Sequence, residues 1–235
     1  YGDSVRLCPE APVPVFNSNN VRNTNPGMAM NVFKNISSLI EKVDKPMEAD
    51  IYTNGEWGNI TKTRFVDYRT NYIVTRVDEN ENLYGSCRTS DIEFDDYDVV
   101  VISDYNKGFI TERDIEHIGR AAAVTFLDTK KVLGEWCAPI TYIKINDVEY
   151  AKTEHQLTQE MINKMIITLG PKGCQYLGET FPVPKVEIKD AAGAGDTFIA
   201  ALAVEYAKVR NMRNAIKFAN ECATEVVQRK GVSII

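Results

Sequence analysis

The sequence predicts an α/β fold, a mainly parallel sheet flanked by helices, and three observations predict it. Short apolar or β-branched runs recur at residues 99–102, 124–127, 142–145 and 165–169, each too short for a helix and apolar enough for a strand covered on both faces. Helical patterns alternate with them, one opened by Thr111 with Glu112 and Asp114 in its first turn, as βαβ units require. A small-residue run, DAAGAGD at residues 190–196, leads directly into a helix. That helix carries Phe198, Leu202 and Tyr206 on one stripe, while Ala201 and Ala203 permit close approach to a sheet.

The elements follow in order. Four prolines, Pro9, Pro12, Pro14 and Pro26, keep the first stretch extended or looped, and the alternation of Val13, Val15 and Phe16 suits a short strand. Val32, Phe33, Ile36, Leu39 and Ile40 fall at helical spacing over residues 29–40, and Pro46 sets the limit beyond which that helix does not continue. Two β-prone runs, 60–66 and 72–77, flank residues 67–71 and read as paired strands outside the main sheet. After the strand–helix alternation, residues 186–188 lead into the glycine turn. A last helix presents Met212, Ala215, Ile216, Ala219, Cys222, Ala223 and Val226 on one face.

Composition bounds the function. With 235 residues, 44% of them hydrophobic, the chain suffices for one sizeable core and reads as a single domain over 1–235. A net charge of -6 argues against a broad nucleic-acid or anionic-membrane surface, so any phosphate site has to be local. The five cysteines are odd in number, widely spaced and without CxxC pairs, which indicates neither a disulfide framework nor zinc and fits a reducing cytoplasm. His117 and His155 offer little material for metal ligation or a Ser-His-Asp triad and read as surface residues. No apolar run approaches the ~20 residues that span a bilayer, and no signal-peptide pattern opens the chain, so a soluble cytoplasmic protein is expected.

The glycine turn reads as a phosphoryl-transfer site. Gly193, Ala194 and Gly195, with Ala192 before them, let a ligand approach the backbone, and N–H groups at a helix start favour an anion. Asp196 falls beside that anion as a weak base, its pKa expected to be held low by the helix N-terminus. The bland alternative is a plain helix entry with a capping aspartate. Ligands in open α/β sheets gather outside the carboxyl ends of the strands. Four polar loops fall there: SDYNKG at 103–108, DTK at 128–130, NDVE at 146–149 and TLGPKG at 168–173. No GxxxxGK[ST] run exists, which excludes a P-loop. Asn146 and Glu149 suit a magnesium ion held through water. Gly27 and Asn31 lie in a second turn into a helix, with Asn31 able to meet sugar hydroxyls. Lys62 and Arg64 share one strand face as a phosphate clamp, or as an ordinary solvated face.

These residues resemble the PfkB, or ribokinase-like, carbohydrate kinases. DAAGAGD is similar to that family's DxxGAGD signature, NDVE to its NxxE motif, and Thr168, Gly170 and Gly173 to its TxGxxG turn. The resemblance implies a ribokinase-like fold with a small β-lid and an enzyme using ATP and Mg²⁺. It makes Asp196 the catalytic base and the turn from Ala192 through Gly193, Ala194 and Gly195 the anion hole. Asn146 and Glu149 then support magnesium and ATP phosphates, Thr168, Gly170 and Gly173 the nucleotide, and Asn220 borders the adenine. PEAPVPV at 9–15, TKTR at 61–64 and SDYNKG look like the family's heptose 7-phosphate kinases. That likeness implies phosphoryl transfer to the anomeric hydroxyl of a heptose 7-phosphate and a homodimer through lid segments near 10–20 and 58–78. It also implies substrate contacts from Gly27, Asn31, Lys62, Arg64, Asp104 and Lys107. Departures from the pattern are expected to matter. By that resemblance the family's first core strand and sugar-binding aspartate are expected to lack a counterpart here, and one βα unit is expected to be missing between residues 40 and 60. Met28 replaces a glycine of the sugar turn and is expected to crowd the sugar, and Ala192 replaces a threonine. A kinase for a different sugar, or a nucleotide-binding relic without turnover, are the alternative readings.

Overall fold

A computed structural model describes residues 1–18, 22–81 and 85–235, and the chain divides into two compact units. The first unit comprises Tyr1–Pro26 and Asn54–Gly85. In it β1 (Gly2–Leu7) pairs antiparallel with β2 (Pro14–Ser18), and β3 (Thr61–Val66) pairs antiparallel with β4 (Ile73–Glu79). The second pair is the expected hairpin; β1 lies where only extended or looped chain was expected. Asp67 organises the turn between β3 and β4. Its Oδ1 accepts from the Thr70 N–H at 2.9 Å and the Thr70 hydroxyl at 2.8 Å, and its Oδ2 from the Ser4 N–H at 2.9 Å. Phe16 and Phe65 meet edge to face with ring centroids 5.5 Å apart, which joins the two hairpins. The expected lid segments fall within this unit, apart from positions 19 and 20, which lie outside the described residues.

The second unit comprises Gly27–Thr53 and Ser86–Ile235. Its six-stranded sheet has the order β10-β9-β8-β7-β6-β5. The strands β5 (Val100–Asp104), β6 (Thr125–Thr129), β7 (Tyr142–Asn146) and β8 (Met165–Thr168) are mutually parallel, while β9 (Cys174–Tyr176) and β10 (Glu179–Phe181) form an antiparallel hairpin beside β8. Adjacent strand residues feed opposite layers. Phe126 and Ile166 pack with α1 (Met28–Ile40), α5 (Ala194–Val209) and α6 (Met212–Val226); Leu127 and Met165 pack with α2 (Glu112–Ala121) and Met161 of α4 (Gln159–Ile162). This is the mainly parallel, helix-flanked sheet that the sequence predicts. Helix α5 is buried from Asp196 to Val204 on every side, so its place in the core is fixed by burial rather than by one apolar stripe.

Three local expectations are corrected. Strand β5 ends the sheet order, and although Val101 packs on one core layer and Val100 and Ile102 on the other, Val100 and Val101 are only half-buried, so its cover is less complete than its β-branched run suggested. Strands β6 and β7 are joined by a single 3₁₀ turn, Glu135–Cys137, instead of an α-helix. The β9–β10 hairpin is absent from the sequence reading because three-residue strands show no period; its turn uses positive φ at Leu177 (50°) and Gly178 (76°). Residues 41–60 contain no strand or α-helix, as expected of a chain short of one βα unit.

Candidate active site

Parallel pairing delivers the polar loops to one edge. Asp104 lies opposite Thr129, Asp128 opposite Lys144, and Asn146 opposite Thr168, so the carboxyl ends of β5 to β8 stand side by side. The glycine turn enters α5 with Gly193 as its N-cap at φ 84°, a left-handed conformation, and the Thr197 N–H closes the first helical bond on the Gly193 carbonyl at 2.9 Å. A Cβ on Gly193 would lie 2.8 Å from Val232 Cγ1 and 3.1 Å from Asn31 Nδ2, and one on Gly195 would lie 3.0 Å from Lys144 Nζ. The expected anion hole narrows. The Ala192 N–H donates to Asp190 Oδ1 at 2.8 Å and the Ala194 N–H to the Ala191 carbonyl at 3.3 Å, so both are spent inside the turn. The N–H groups of Gly193, Gly195 and Asp196 have no partner among the described residues.

Asp196 is 6% exposed. Its Oδ1 accepts from the Tyr105 hydroxyl at 2.6 Å and its Oδ2 from Asn31 Nδ2 at 2.8 Å. Burial, only partly offset by these two hydrogen bonds, pushes its carboxyl above the ordinary value. This corrects the expectation of a low pKa, because desolvation outweighs the helix N-terminus. Burial and then the charge of Asp196 push the Tyr105 phenol far up, so Tyr105 remains a donor. Asn31, 1% exposed, therefore spends its amide on the carboxylate instead of offering it outward as a sugar contact. Its carbonyl accepts from Asn35 Nδ2 at 2.8 Å, and Asn35 Oδ1 accepts from the Thr197 hydroxyl at 3.2 Å, which ties α1 to the first turn of α5. Gly27, the N-cap of α1 at φ 61°, fixes the entry to that helix, and the Met28 side chain lies outside what the structure describes.

The other expected residues divide between the site edge and structural work. Asp104 is not open to substrate. Its Oδ2 accepts from Thr129 Oγ1 at 2.6 Å and Lys131 Nζ at 2.8 Å, and its Oδ1 from the Asn106 N–H at 2.9 Å. Lys107 follows in the same loop, half-buried. Asn146 and Glu149 form a capping box on α3 (Asp147–Thr153), with the Glu149 N–H on Asn146 Oδ1 at 2.7 Å and the Asn146 N–H on Glu149 Oε2 at 3.2 Å. Glu149 Oε1 accepts from Lys130 Nζ. Burial opposes ionisation of Glu149, but the bonds from Lys130 and Asn146 prevail and hold its carboxyl below the ordinary value. Thr168 Oγ1 donates to the Ile145 carbonyl at 3.3 Å. Gly170 (φ 57°) and Gly173 (φ 88°) shape the turn after β8, where a Cβ on Gly173 would meet the Phe181 carbonyl oxygen at 2.0 Å. Asn220 Nδ2 donates to that same carbonyl at 3.0 Å and borders a cleft of about 510 Å³ lined by Thr180, Phe181, Pro182, Val183 and Thr224. Lys62 and Arg64 lie on β3 of the other unit. Lys62 Nζ is engaged by Glu81 Oε1 at 2.5 Å and Asp78 Oδ2 at 3.6 Å, and Arg64 is exposed.

Tyr105, Asp128 and Lys144 were not singled out from the sequence as partners of the turn. Lys144 Nζ donates to Asp128 Oδ2 at 2.7 Å, with both side chains buried. The signal was a lysine inside the otherwise apolar run of residues 142–145, a position at which a charge has to be paired. All five cysteines are free, His117 and His155 are exposed, and among the described residues no helix is long and apolar enough to cross a membrane.

A parallel sheet ending in these loops, with a glycine turn capping a buried helix and a buried carboxylate in its first turn, defines a ribokinase-like α/β protein. Ribokinase from Thermotoga maritima superposes with a TM-score of 0.66 at 18% identity, over 98% of this chain and 89% of that one. Phosphofructokinase-2 from Escherichia coli, solved in complex with potassium, gives 0.60 at 15% identity, over 99% of this chain and 90% of that one. Residues 115–235, more than half of the chain, match the pfkB family carbohydrate kinase, and the chain belongs to that family of sugar kinases. Curated relatives include the bifunctional protein HldE of Helicobacter pylori strain J99, 29% identical over 283 residues, and that of Shewanella sp. strain ANA-3, 29% identical over 278 residues. Both matches cover 100% of this chain but only 61% and 58% of the relative, so the chain spans about three-fifths of their length.

Proposed function

We propose that the protein is an ATP-dependent kinase that phosphorylates a sugar phosphate, specifically the anomeric hydroxyl of D-glycero-D-manno-heptose 7-phosphate. The observation that carries this reading is the buried Asp196 carboxylate beside three unpartnered N–H groups at the start of α5. The residues fit a nucleoside triphosphate: the N–H groups suit its phosphates, and the cleft beside Asn220 has the size and partly apolar wall of a base pocket. A bound triphosphate supplies the phosphoryl group to be transferred. Asp196 accepts the proton of the acceptor hydroxyl at Oδ1, in the place now held by the Tyr105 hydroxyl, while Asn31 keeps the carboxylate aimed through Oδ2. A carboxyl whose proton affinity is raised by burial is a better base than an exposed aspartate.

Among the described residues, no group of three or more His, Cys, Asp or Glu could hold a metal ion. Asn146 and Glu149 spend their side-chain atoms on each other and on Lys130, and so fit a magnesium ion only through water. Exposed Val5, Leu7, Val13 and Ile73 on the hairpin unit support a homodimer formed through it, and the free cysteines are in keeping with a cytoplasmic enzyme.

The test is ADP release with a panel of sugars, with Asp196→Asn as control. Heptose 7-phosphate should support turnover, and Asp196→Asn should lower kcat by ~10²–10⁴-fold; ATP binding without turnover on any sugar sinks the reading. The pairing of Lys62 with Glu81 and Asp78 favours a second reading, an acceptor carrying no phosphate at that position. Turnover of a free sugar but not of heptose 7-phosphate would select it.

A further inference from the structure

Lys144 is 6% exposed and its ammonium makes one hydrogen bond, to Asp128 Oδ2 at 2.7 Å. An ammonium has three N–H donors, so two are unused. Asp128, 9% exposed, is equally under-satisfied, since its Oδ1 is buried without a partner. A buried ion pair left incomplete on both sides adds little to stability and is expensive to desolvate. Its location gives it a use. Lys144 Nζ lies 3.0 Å from where the Cβ of a larger residue at 195 would be, against the turn whose Gly195 and Asp196 N–H groups are unpartnered. The Lys144 ammonium and the positive end of this 16-residue helix both favour an anion at the same turn.

We propose that Lys144 is the cation of the phosphate cradle: a phosphate oxygen on the Gly195 and Asp196 N–H groups also receives a Lys144 N–H, and Asp128 holds the ammonium in place. The ligand is a polyphosphate chain. Lys144 thereby adds a full charge to a cradle otherwise made of main-chain dipoles, and Gly195 is required because a side chain there would sit between the ammonium and the anion. This deepens the kinase reading and rests on it for the source of the polyphosphate.

The experiment is calorimetric binding of tripolyphosphate, and separately of adenosine, to the native protein, to Lys144→Met, and to the double variant Asp128→Leu with Lys144→Met. The double variant removes both charges together, so that no carboxylate is left buried alone if the single variant is unstable. Tripolyphosphate affinity should fall at least tenfold in whichever variant has a native thermal transition, with adenosine affinity unchanged. In the native protein the ¹⁵N resonance of the Lys144 ammonium should move on adding tripolyphosphate, a readout that needs no variant. Equal tripolyphosphate affinity in native and variant proteins, no binding to the native protein, or an unmoved ammonium resonance overturns the proposal. Lys144-dependent binding with no turnover of ATP on any sugar leaves the cradle standing and removes the kinase reading instead.

Discussion

Gly170 and Gly173 sit three residues apart in the turn after β8, both at positive φ, and alanine at each should give different answers. At Gly170 (φ 57°) a Cβ meets nothing within 4 Å, so Gly170→Ala carries only the backbone cost of a left-handed residue, ~1–2 kcal/mol. At Gly173 (φ 88°, ψ -130°) the Cβ falls 2.0 Å from the Phe181 carbonyl oxygen and 3.1 Å from Pro182 Cα. Both contacts are backbone, so no rotamer change relieves them. Overpacking of this kind costs ~1–3 kcal/mol beyond the conformational strain, for a total of about 2–5 kcal/mol. In a chain of 235 residues each kcal/mol moves Tm by ~2–4 °C, so the two variants should separate clearly in a thermal scan and in urea unfolding. Function should separate with them. The Phe181 carbonyl that Gly173→Ala displaces is the acceptor of Asn220 Nδ2 and lines the cleft, so adenosine binding should weaken there and not in Gly170→Ala. Equal destabilisation of the two, or a Gly173→Ala variant within 1 kcal/mol of the native protein, refutes the account of why glycine stands at 173.

Two further outcomes concern carboxylates. Tyr105→Phe removes a hydrogen bond that lowers the Asp196 pKa, so the acid limb of kcat/KM should move to higher pH; an unmoved limb means that Tyr105 does not govern the base. Asp67 is held at about 2 by hydrogen bonds from the N–H groups of Thr70 and Ser4 and from the Thr70 hydroxyl. Its folded pKa lies below its unfolded value, so its stabilisation is present above the ordinary aspartate pKa and is lost as pH falls toward 2. Asp67→Asn should therefore lower Tm at pH 6 by more than it does at pH 2.5, and a constant difference across that range contradicts the assignment.

Much of the fold was legible because burial and pattern agree in it. The β5–β8 runs, α1 and α6 are periodic and long enough to stand out, and the signature at residues 190–196 fixes the start of α5. What escaped has a physical reason in each case. Strand β1 exists by pairing with β2, and β9 and β10 are too short to carry a period, so their evidence lies in partners distant from the local sequence. At the site, residue types were readable and their bonds were not. Asn31 was legible as a polar residue at a helix start, but only the packing of α1 on α5 turns its amide onto Asp196. Tyr105 lay inside a loop already singled out, yet nothing in SDYNKG tells which of its polar side chains crosses to a carboxylate 91 residues away.

The charges around the turn show why Asp196, among four carboxylates, is the one suited to take a proton. Asp104 is paired with Lys131, Asp128 with Lys144 and Glu149 with Lys130, so each of these three carries its own cation. Asp196 alone receives its two hydrogen bonds from neutral groups, a phenol and an amide. A cation at bonding distance stabilises the carboxylate against protonation far more than a neutral donor does. Neutral donors orient the oxygens and leave the proton affinity that burial confers. The lysines thus serve the base by being bonded elsewhere: each is held by Asp104, Asp128 or Glu149, and Asp196 is the only one of the four without a cation at bonding distance. Moving a cation onto it, as Asn31→Lys would do, should cost the base its function even in a fold that tolerates the change.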